Sequence, residues 1–236
     1  MKEIQRIFAE YGAVISEKQV DQYEQYYEML TEKNKVMNLT AITDYEDVLI
    51  KHFLDSISII RCVDLTGQKK LIDVGTGAGF PGIPLKILFP ELQVTLMDSL
   101  NKRILFLEDV CRKLKLDGIQ AVHARAEDLG RDKSYREQYD CCVSRAVANL
   151  ATLAEYCIPF VKCAGLFVSY KSGKVEDEAT QAEGAVRILG GKLLKTEKFV
   201  LPETDIERSL ICIEKVKATS MKYPRKAGLP ARQPLL

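Results

Sequence analysis

The chain has 236 residues, 47% hydrophobic and 28% charged, with a formal net charge of +1. That is an ordinary globular balance, sufficient for one large domain with an extension or for two small ones. No run of about 18 uncharged apolar residues occurs, which excludes a membrane-spanning helix.

The opening Met1-Lys-Glu-Ile-Gln-Arg-Ile-Phe8 lacks the apolar core of a signal peptide, so a cytoplasmic location is expected. The seven cysteines show no C-x-x-C spacing, and only His52 and His123 stand ready to join them. Reduced thiols are therefore expected, and no metal. Charge is spread unevenly. Lys215 to Leu236 hold six basic residues and no acidic one, so with the chain at +1 the remainder stands at −5.

In chain order, residues 1 to about 62 read as helices. Ser16 is an N-cap with Gln19 at the third position, the pattern of a capping box. Val20, Tyr23, Tyr27, Leu30 and Asn34 then share one face. Asn38 to Thr43 is a loop, and Asp47 to Ile60 a second helix that carries His52 among Leu49, Ile50, Phe53 and Leu54. Such a histidine reads either as a buried, hydrogen-bonded residue or as a functional one. About 60 residues make a marginal core alone, so this segment is expected to pack as a cap on the rest of the chain.

From Lys70 onward strands and helices alternate, the signal for a parallel sheet covered on both faces. Strands are expected at Leu71 to Val74, Gln93 to Asp98, Ile119 to His123, Tyr139 to Ser144 and Gly165 to Tyr170. Helices are expected at Asn101 to Leu116, Ala148 to Phe160 and Val175 to Leu189. The first of them turns Ile104, Leu105, Leu107, Val110, Cys111 and Leu114 inward. Lys192 to Leu201 and Ser209 to Glu214 form a closing strand pair. The expected division is a helical cap at 1–68, a sheet domain at 69–216 and a basic tail at 217–236.

The most informative stretch is Leu71-Ile-Asp-Val-Gly-Thr-Gly-Ala-Gly-Phe-Pro-Gly82. A strand runs into Gly75, Gly77, Gly79 and Gly82, then resumes as Ile83-Pro-Leu-Lys-Ile-Leu-Phe89 at helical spacing. Glycine in such a turn lets the backbone approach a ligand closely. The dinucleotide fingerprint G-x-G-x-x-G would need glycine at 80, where Phe80 stands. The spacing is G-x-G-x-G with Asp73 two residues ahead, and it resembles motif I of class I S-adenosylmethionine-dependent methyltransferases.

In an open parallel sheet, ligands bind at the carboxyl edge of the strands. There the second strand ends in Asp98, about 20 residues past the glycines, where a carboxylate accepts both ribose hydroxyls of a cofactor. Adenosylmethionine and nicotinamide enzymes both use such an acid. Cys141 and Cys142 lie inside the fourth strand, where a free cysteine behaves as a small hydrophobe. Ser144-Arg-Ala-Val-Ala148 comes next, with neither an Asn/Asp-Pro-Pro-aromatic tetrapeptide nor a nucleophilic cysteine. The chemistry that remains needs no base and no covalent step. N7 of guanine has an in-plane lone pair free at neutral pH, and in-line attack on a sulfonium methyl requires mainly positioning. Oxygen acceptors near the purine would help as positive charge moves onto it.

Several further segments complete a pattern: Asp98-Ser-Leu-Asn-Lys-Arg103, Arg125-Ala-Glu127, Ser144-Arg-Ala-Val147, Asn38-Leu-Thr-Ala-Ile42, His52-Phe-Leu-Asp-Ser56 and Arg225-Lys-Ala-Gly-Leu-Pro230. With the glycine turn they resemble, over nearly the whole chain, the ribosomal small-subunit methyltransferase G family, also called glucose-inhibited division protein B. The resemblance implies an α/β class I methyltransferase fold. Its Rossmann-like, mostly parallel seven-stranded sheet has an antiparallel last strand, and an N-terminal helical extension precedes it. It implies methyl transfer from S-adenosyl-L-methionine to N7 of a guanine, conventionally G527, in bacterial 16S rRNA, naked or in the assembling small subunit.

By motif match the cofactor contacts are Gly75, Phe80, Ala126, Glu127 and Arg145, with Asp98 at the ribose and Asp73, Gly77 and Gly79 completing the turn. In methyltransferases the loop holding Ala126 and Glu127 brackets the adenine, although Glu127 and Asp128 also read as a solvated helix N-terminus. Arg145 is the candidate catalytic residue, orienting the guanine; the other reading pairs it with a neighbouring carboxylate such as Glu127, steadying the fold. RNA phosphates are expected at Lys171, otherwise a solvated strand end, and at Lys222, Arg225, Lys226 and Arg232 in an adaptable, poorly structured tail.

Three other readings stay open. The basic tail and the lack of a lid-like apolar insertion weigh against a small-molecule methyltransferase. The intact glycine turn and Asp98 weigh against an RNA-binding or regulatory protein with a vestigial cofactor site. A nicotinamide dehydrogenase lacks its glycine at 80.

Overall fold

The computed structural model describes residues 2–67, 69–145, 148–173 and 175–235. Two helices come first, α1 (Glu3–Glu10) and α2 (Glu17–Met37). The capping box is present: Ser16 N donates to Gln19 Oε1 at 2.8 Å and Gln19 N to Ser16 Oγ at 3.4 Å. Asn38 ends α2 in the left-handed region. The buried face is Val20, Tyr23, Tyr26 and Leu30, so Tyr26 takes the place expected for Tyr27. The reason is polar as well as apolar. Tyr26 Oη donates to Ala78 O (2.6 Å) inside the glycine turn, whereas Tyr27 Oη reaches only Thr43 O at the surface.

The second expected helix is a composite of α3 (Tyr45–Val48), a π-helical turn (Leu49–Leu54), α4 (Asp55–Ile57) and a 3-10 turn (Ser58–Arg61). After it the strands and helices alternate. They are β1 (Lys70–Val74), α5 (Gly82–Leu88), β2 (Gln93–Asp98), α6 (Asn101–Lys113), β3 (Ile119–His123), α7 (Ala126–Leu129) and β4 (Tyr139–Ser144). Then come α8 (Leu150–Cys157), β5 (Val161–Ser172), α9 (Glu176–Ile188), β6 (Gly191–Val200), β7 (Glu207–Lys215) and α10 (Leu229–Arg232). The sheet order is β3-β2-β1-β4-β5-β7-β6. Neighbours from β3 to β5 pair in parallel, and β7 inserts antiparallel between β5 and β6, as expected. No helix among the described residues is long and apolar enough to cross a membrane.

Successive strand residues point to opposite faces, and each face builds its own core. Leu71, Leu96, Cys141, Val168 and Cys212 pack with α2, the π turn, α5 and α6. Ile72, Met97, Cys142, Phe167 and Ile211 pack with α8 and α9. The N-terminal helices therefore share one continuous core with the sheet. In α6 the buried set is Ile104, Phe106, Leu107 and Val110, while Leu105 is 59% exposed, contrary to expectation. It sits two residues before Leu107, on the flank that turns toward solvent.

The tail is held down and is not the adaptable segment expected. The Arg136 guanidinium donates to the carbonyls of Gly130, Thr219, Ser220 and Tyr223. Arg225 grips the fully buried Glu155, with Nε at 2.9 Å from Oε1 and Nη2 at 2.7 Å from Oε2. Lys215 is buried too, donating to Ile158 O and Val161 O beside Glu137. Lys217, Lys222, Lys226 and Arg232 remain exposed. Arg225→Ala would strand the Glu155 carboxylate without its cation, so urea unfolding should show a loss of about 3–5 kcal/mol. A loss below about 1 kcal/mol would mean that the pair is not what anchors the tail.

Candidate active site

The glycine turn is shaped by Asp73 at the end of β1. Its Oδ2 accepts from Thr76 Oγ1 (2.6 Å) and from Gly82 N (2.8 Å), and the carboxyl is wholly buried. Burial pushes its pKa up to about 7, and Oδ1 has no hydrogen-bond partner among the described residues. Gly75, Gly77 and Gly79 all have positive φ, a conformation that costs glycine little. A Cβ at Gly79 would lie 2.6 Å from Tyr26 Oη, so that glycine is needed for packing. A Cβ at Gly77 would meet nothing within 4 Å, and there the backbone faces open space.

Asp98 ends β2 beside this turn. Its Oδ2 accepts from Gly77 N (3.0 Å) and Arg103 Nη1 (3.1 Å), and its Oδ1 from Leu100 N (2.9 Å). A cavity of about 350 Å³ opens here, lined by Gly75, Asp98, Ser99, Ala126, Glu127, Tyr156 and Gly228 among others. Glu127 is buried, and its Oε1 accepts from Gly228 N (2.8 Å), so the tail forms part of this cavity. The residues fit S-adenosylmethionine. A carboxylate stands at the strand end for the ribose, and open space lies above Gly77.

A second cavity of about 600 Å³ adjoins the first, with Ala148 in the wall of both. It is lined by Lys51, His52, Asp55, Arg145, Lys171, Glu178 and Arg208 among others. Arg145 pairs with Asp55 (2.9 Å) and not with Glu127. Its guanidinium carbon sits 5.0 Å from the centre of the Phe80 ring, which stacks on His52 at 4.7 Å. Burial and the neighbouring Arg145 hold the His52 pKa down at about 3. The ring is therefore neutral, and its Nδ1 faces both Lys51 O (3.2 Å) and Arg145 Nη2 (3.4 Å). Nε2 lies 2.8 Å from Thr40 Oγ1.

Of the expected residues, Gly75, Asp98, Ala126 and Glu127 line the first cavity, and Arg145 and Lys171 line the second. Asp73, Gly77 and Gly79 build the turn, while the Phe80 ring packs on Tyr26 and His52 on the side of the second cavity. Lys171 is tied to Glu178 Oε1 and Ala148 O, both at 2.7 Å. Sequence reading missed Asp55 and Arg208. Asp55 lies in the His52-Phe-Leu-Asp-Ser56 segment, but its partners Arg145 and Arg208 are 90 and 153 residues away, so only the fold joins them. Burial pushes the Cys141 thiol up to about 12 and Cys142 well above its usual range, so neither is a nucleophile.

The sheet order, the glycine turn and Asp98 define a class I S-adenosylmethionine-dependent methyltransferase fold. The solved structure of M. jannaschii TYW2 in complex with AdoMet shares it, with a TM-score of 0.57 at 14% identity over 75% of this chain and 80% of that one. The description rRNA small subunit methyltransferase G matches residues 19–210. A ribosomal RNA small subunit methyltransferase G from Lachnoclostridium phytofermentans is 54% identical, over 95% of this chain and 93% of its own. One from Alkaliphilus metalliredigens is 50% identical, over 96% of this chain and 95% of its own. The chain belongs to the rRNA small subunit methyltransferase G family.

Asp98→Ala removes a charged acceptor and should weaken S-adenosylmethionine binding, read by calorimetry, by roughly 1.5–3 kcal/mol. Unchanged binding would displace the ribose from the end of β2.

The buried Asp73 makes stability depend on pH. Its folded pKa lies above the unfolded value of about 4, so its stabilising contribution is full at low pH and is lost as pH rises toward 7. Asp73→Asn removes that titration. Between pH 4 and 7.5 the mutant should gain stability relative to wild type by up to about 4 kcal/mol, measured by urea unfolding without cofactor. A pH-independent difference would show that Asp73 does not titrate in this window.

Proposed function

We propose that the chain transfers the methyl group of S-adenosyl-L-methionine to N7 of a guanine in 16S rRNA, the position called G527 in the family it belongs to. The observation that carries this reading is the meeting at Ala148 of two cavities of opposite character. One offers the carboxylates of Asp98 and Glu127 against Arg125, and the other offers Lys51, Arg145, Lys171 and Arg208 against Asp55 and Glu178. The cofactor supplies an electrophilic methyl on a sulfonium.

The chain's own residues then need only place the guanine. No proton has to leave N7, and the site fits that demand: His52 is neutral and engaged at both nitrogens, and the nearby thiols are inert. Arg145 does not take O6 and N7 together, the usual bidentate contact with guanine, because N7 must keep its lone pair for the methyl group. It serves instead at a phosphate or at O6 alone. A base within a folded RNA must leave its stack to enter such a cavity. The exposed tail cations Lys222, Lys226 and Arg232 contact phosphates outside it; Arg225, bound to Glu155, acts by holding the tail in place.

The direct test is methyl transfer from labelled cofactor to 16S rRNA, with and without ribosomal proteins, followed by mapping of the modified base. Label at a guanine N7 supports the proposal, and label elsewhere or none at all overturns it. The ribosomal-protein arm tells whether the naked RNA or an assembling subunit is the substrate. Within that assay, Arg145→Ala should lower the single-turnover rate at saturating RNA tenfold or more, because misplacement of a reacting group costs rate directly. Replacing Lys222, Lys226 and Arg232 by alanine should instead raise the RNA concentration required and flatten the salt dependence of binding. Equal salt slopes for this variant and wild type would take the tail out of the RNA interface.

A further inference from the structure

Asp55 is 2% exposed, and it gives each of two arginines its own oxygen. Oδ2 accepts from Arg145 Nη1 at 2.9 Å and Oδ1 from Arg208 Nε at 3.1 Å. The arginines come from different elements, one just past β4 and the other in β7, and both line the second cavity. One carboxylate against two guanidinia leaves a net positive charge there.

Glu155 takes Arg225 in a two-point grip, a frequent arrangement for one carboxylate and one arginine. Asp55 divides its oxygens and so leaves donors on both partners. Among the described residues Arg208 Nη2 makes no hydrogen bond, and Arg145 Nη2 has only the 3.4 Å contact with His52 Nδ1. The π-helical turn Leu49–Leu54 runs directly into Asp55, and such wide turns are frequent at functional sites.

We propose that Asp55 is a positioning residue for methyl transfer: dividing its carboxylate between Arg145 and Arg208 presents the two guanidinia as one fork for the phosphate of the target nucleotide. The assignment of N7 as the methyl acceptor favours phosphate over base edge, since the fork must leave N7 open. The inference rests on the proposed function, methyl transfer to N7 of a guanine in 16S rRNA.

The test uses the full chain with Asp55→Asn, which keeps shape and one carbonyl oxygen but turns an amide N–H₂ toward one of the arginines. Active sites are counted by cofactor titration, so loss of folded protein does not enter the rate. Cofactor affinity should stay within about twofold, while the single-turnover rate per site at saturating 16S rRNA falls tenfold or more. Added to Arg208→Ala, Asp55→Asn should change the rate little further, because the two act as one unit.

A rate per site equal to wild type, or two effects that simply multiply, would overturn the proposal. Should Asp55→Asn fail to fold, Arg208→Lys decides: it keeps the charge but lacks the planar second donor pair, and it should lose rate to the same degree. A lysine variant as fast as wild type would show that no fork is needed. Failure of the underlying reading is distinguishable, since wild type itself would then leave 16S rRNA unmethylated at N7.

Discussion

One oxygen, Asp73 Oδ2, takes a hydroxyl from Thr76 and an amide from Gly82, and so closes the glycine turn from inside. The rest of the active edge depends on that closure. It aims Gly77 N at Asp98, which fixes the carboxylate at the end of β2, and it draws Gly79 so close to α2 that only glycine fits against Tyr26. It also sets the buried ring of Phe80 against His52 and beneath Arg145. One buried acid thereby sets the shape of the first cavity and, through an aromatic ring, the position of an arginine in the neighbouring one.

The N-terminal helices complete this arrangement and do more than cover it. Tyr23 Oη donates to Pro84 O (2.8 Å), Tyr26 Oη to Ala78 O, and Gln19 Nε2 to Ile87 O (2.7 Å), so α2 satisfies carbonyls along the turn and α5. The π-helical turn then delivers His52 and Asp55 to the second cavity. The helices and the sheet share an apolar core, and the polar contacts that shape the site cross the same boundary. Displacing α2 would expose Phe8, Tyr23, Tyr26 and Phe53 together, a large loss of buried aromatic surface.

Most of the fold was legible because its signals are local. Strand ends at Asp98, His123 and Ser144 coincide with the switch from apolar runs to turn residues, and the Ser16–Gln19 capping box marks the start of α2. The acids and glycines of the first cavity were legible for the same reason, since strand–turn–helix and a strand-end carboxylate are patterns of neighbours. What was not legible depends on distant partners. Tyr26 replaces Tyr27 because a carbonyl 52 residues away accepts its hydroxyl. Arg225 turns inward because a buried glutamate 70 residues earlier awaits it, while composition alone makes the tail look like a solvated basic strand of chain. Asp55 shows its role only once Arg145 and Arg208 are brought beside it.

The sign of the charge changes across Ala148, which suits the proposed placement of cofactor and RNA on its two sides. Asp98 and Glu127, against Arg125, favour a cationic group on one side, whereas Arg145, Arg208 and Lys171 favour a polyanion on the other. Exchanged occupants would meet like charges at close range in partly desolvated cavities, where the penalty is larger than in water. The cations are also spaced by carboxylates, Asp55 between the two arginines and Glu178 against Lys171. Such spacing lets several positive groups share one cavity before any RNA arrives. A nucleic acid then finds donors already held in place, and the ordering cost has been met by folding, not by binding.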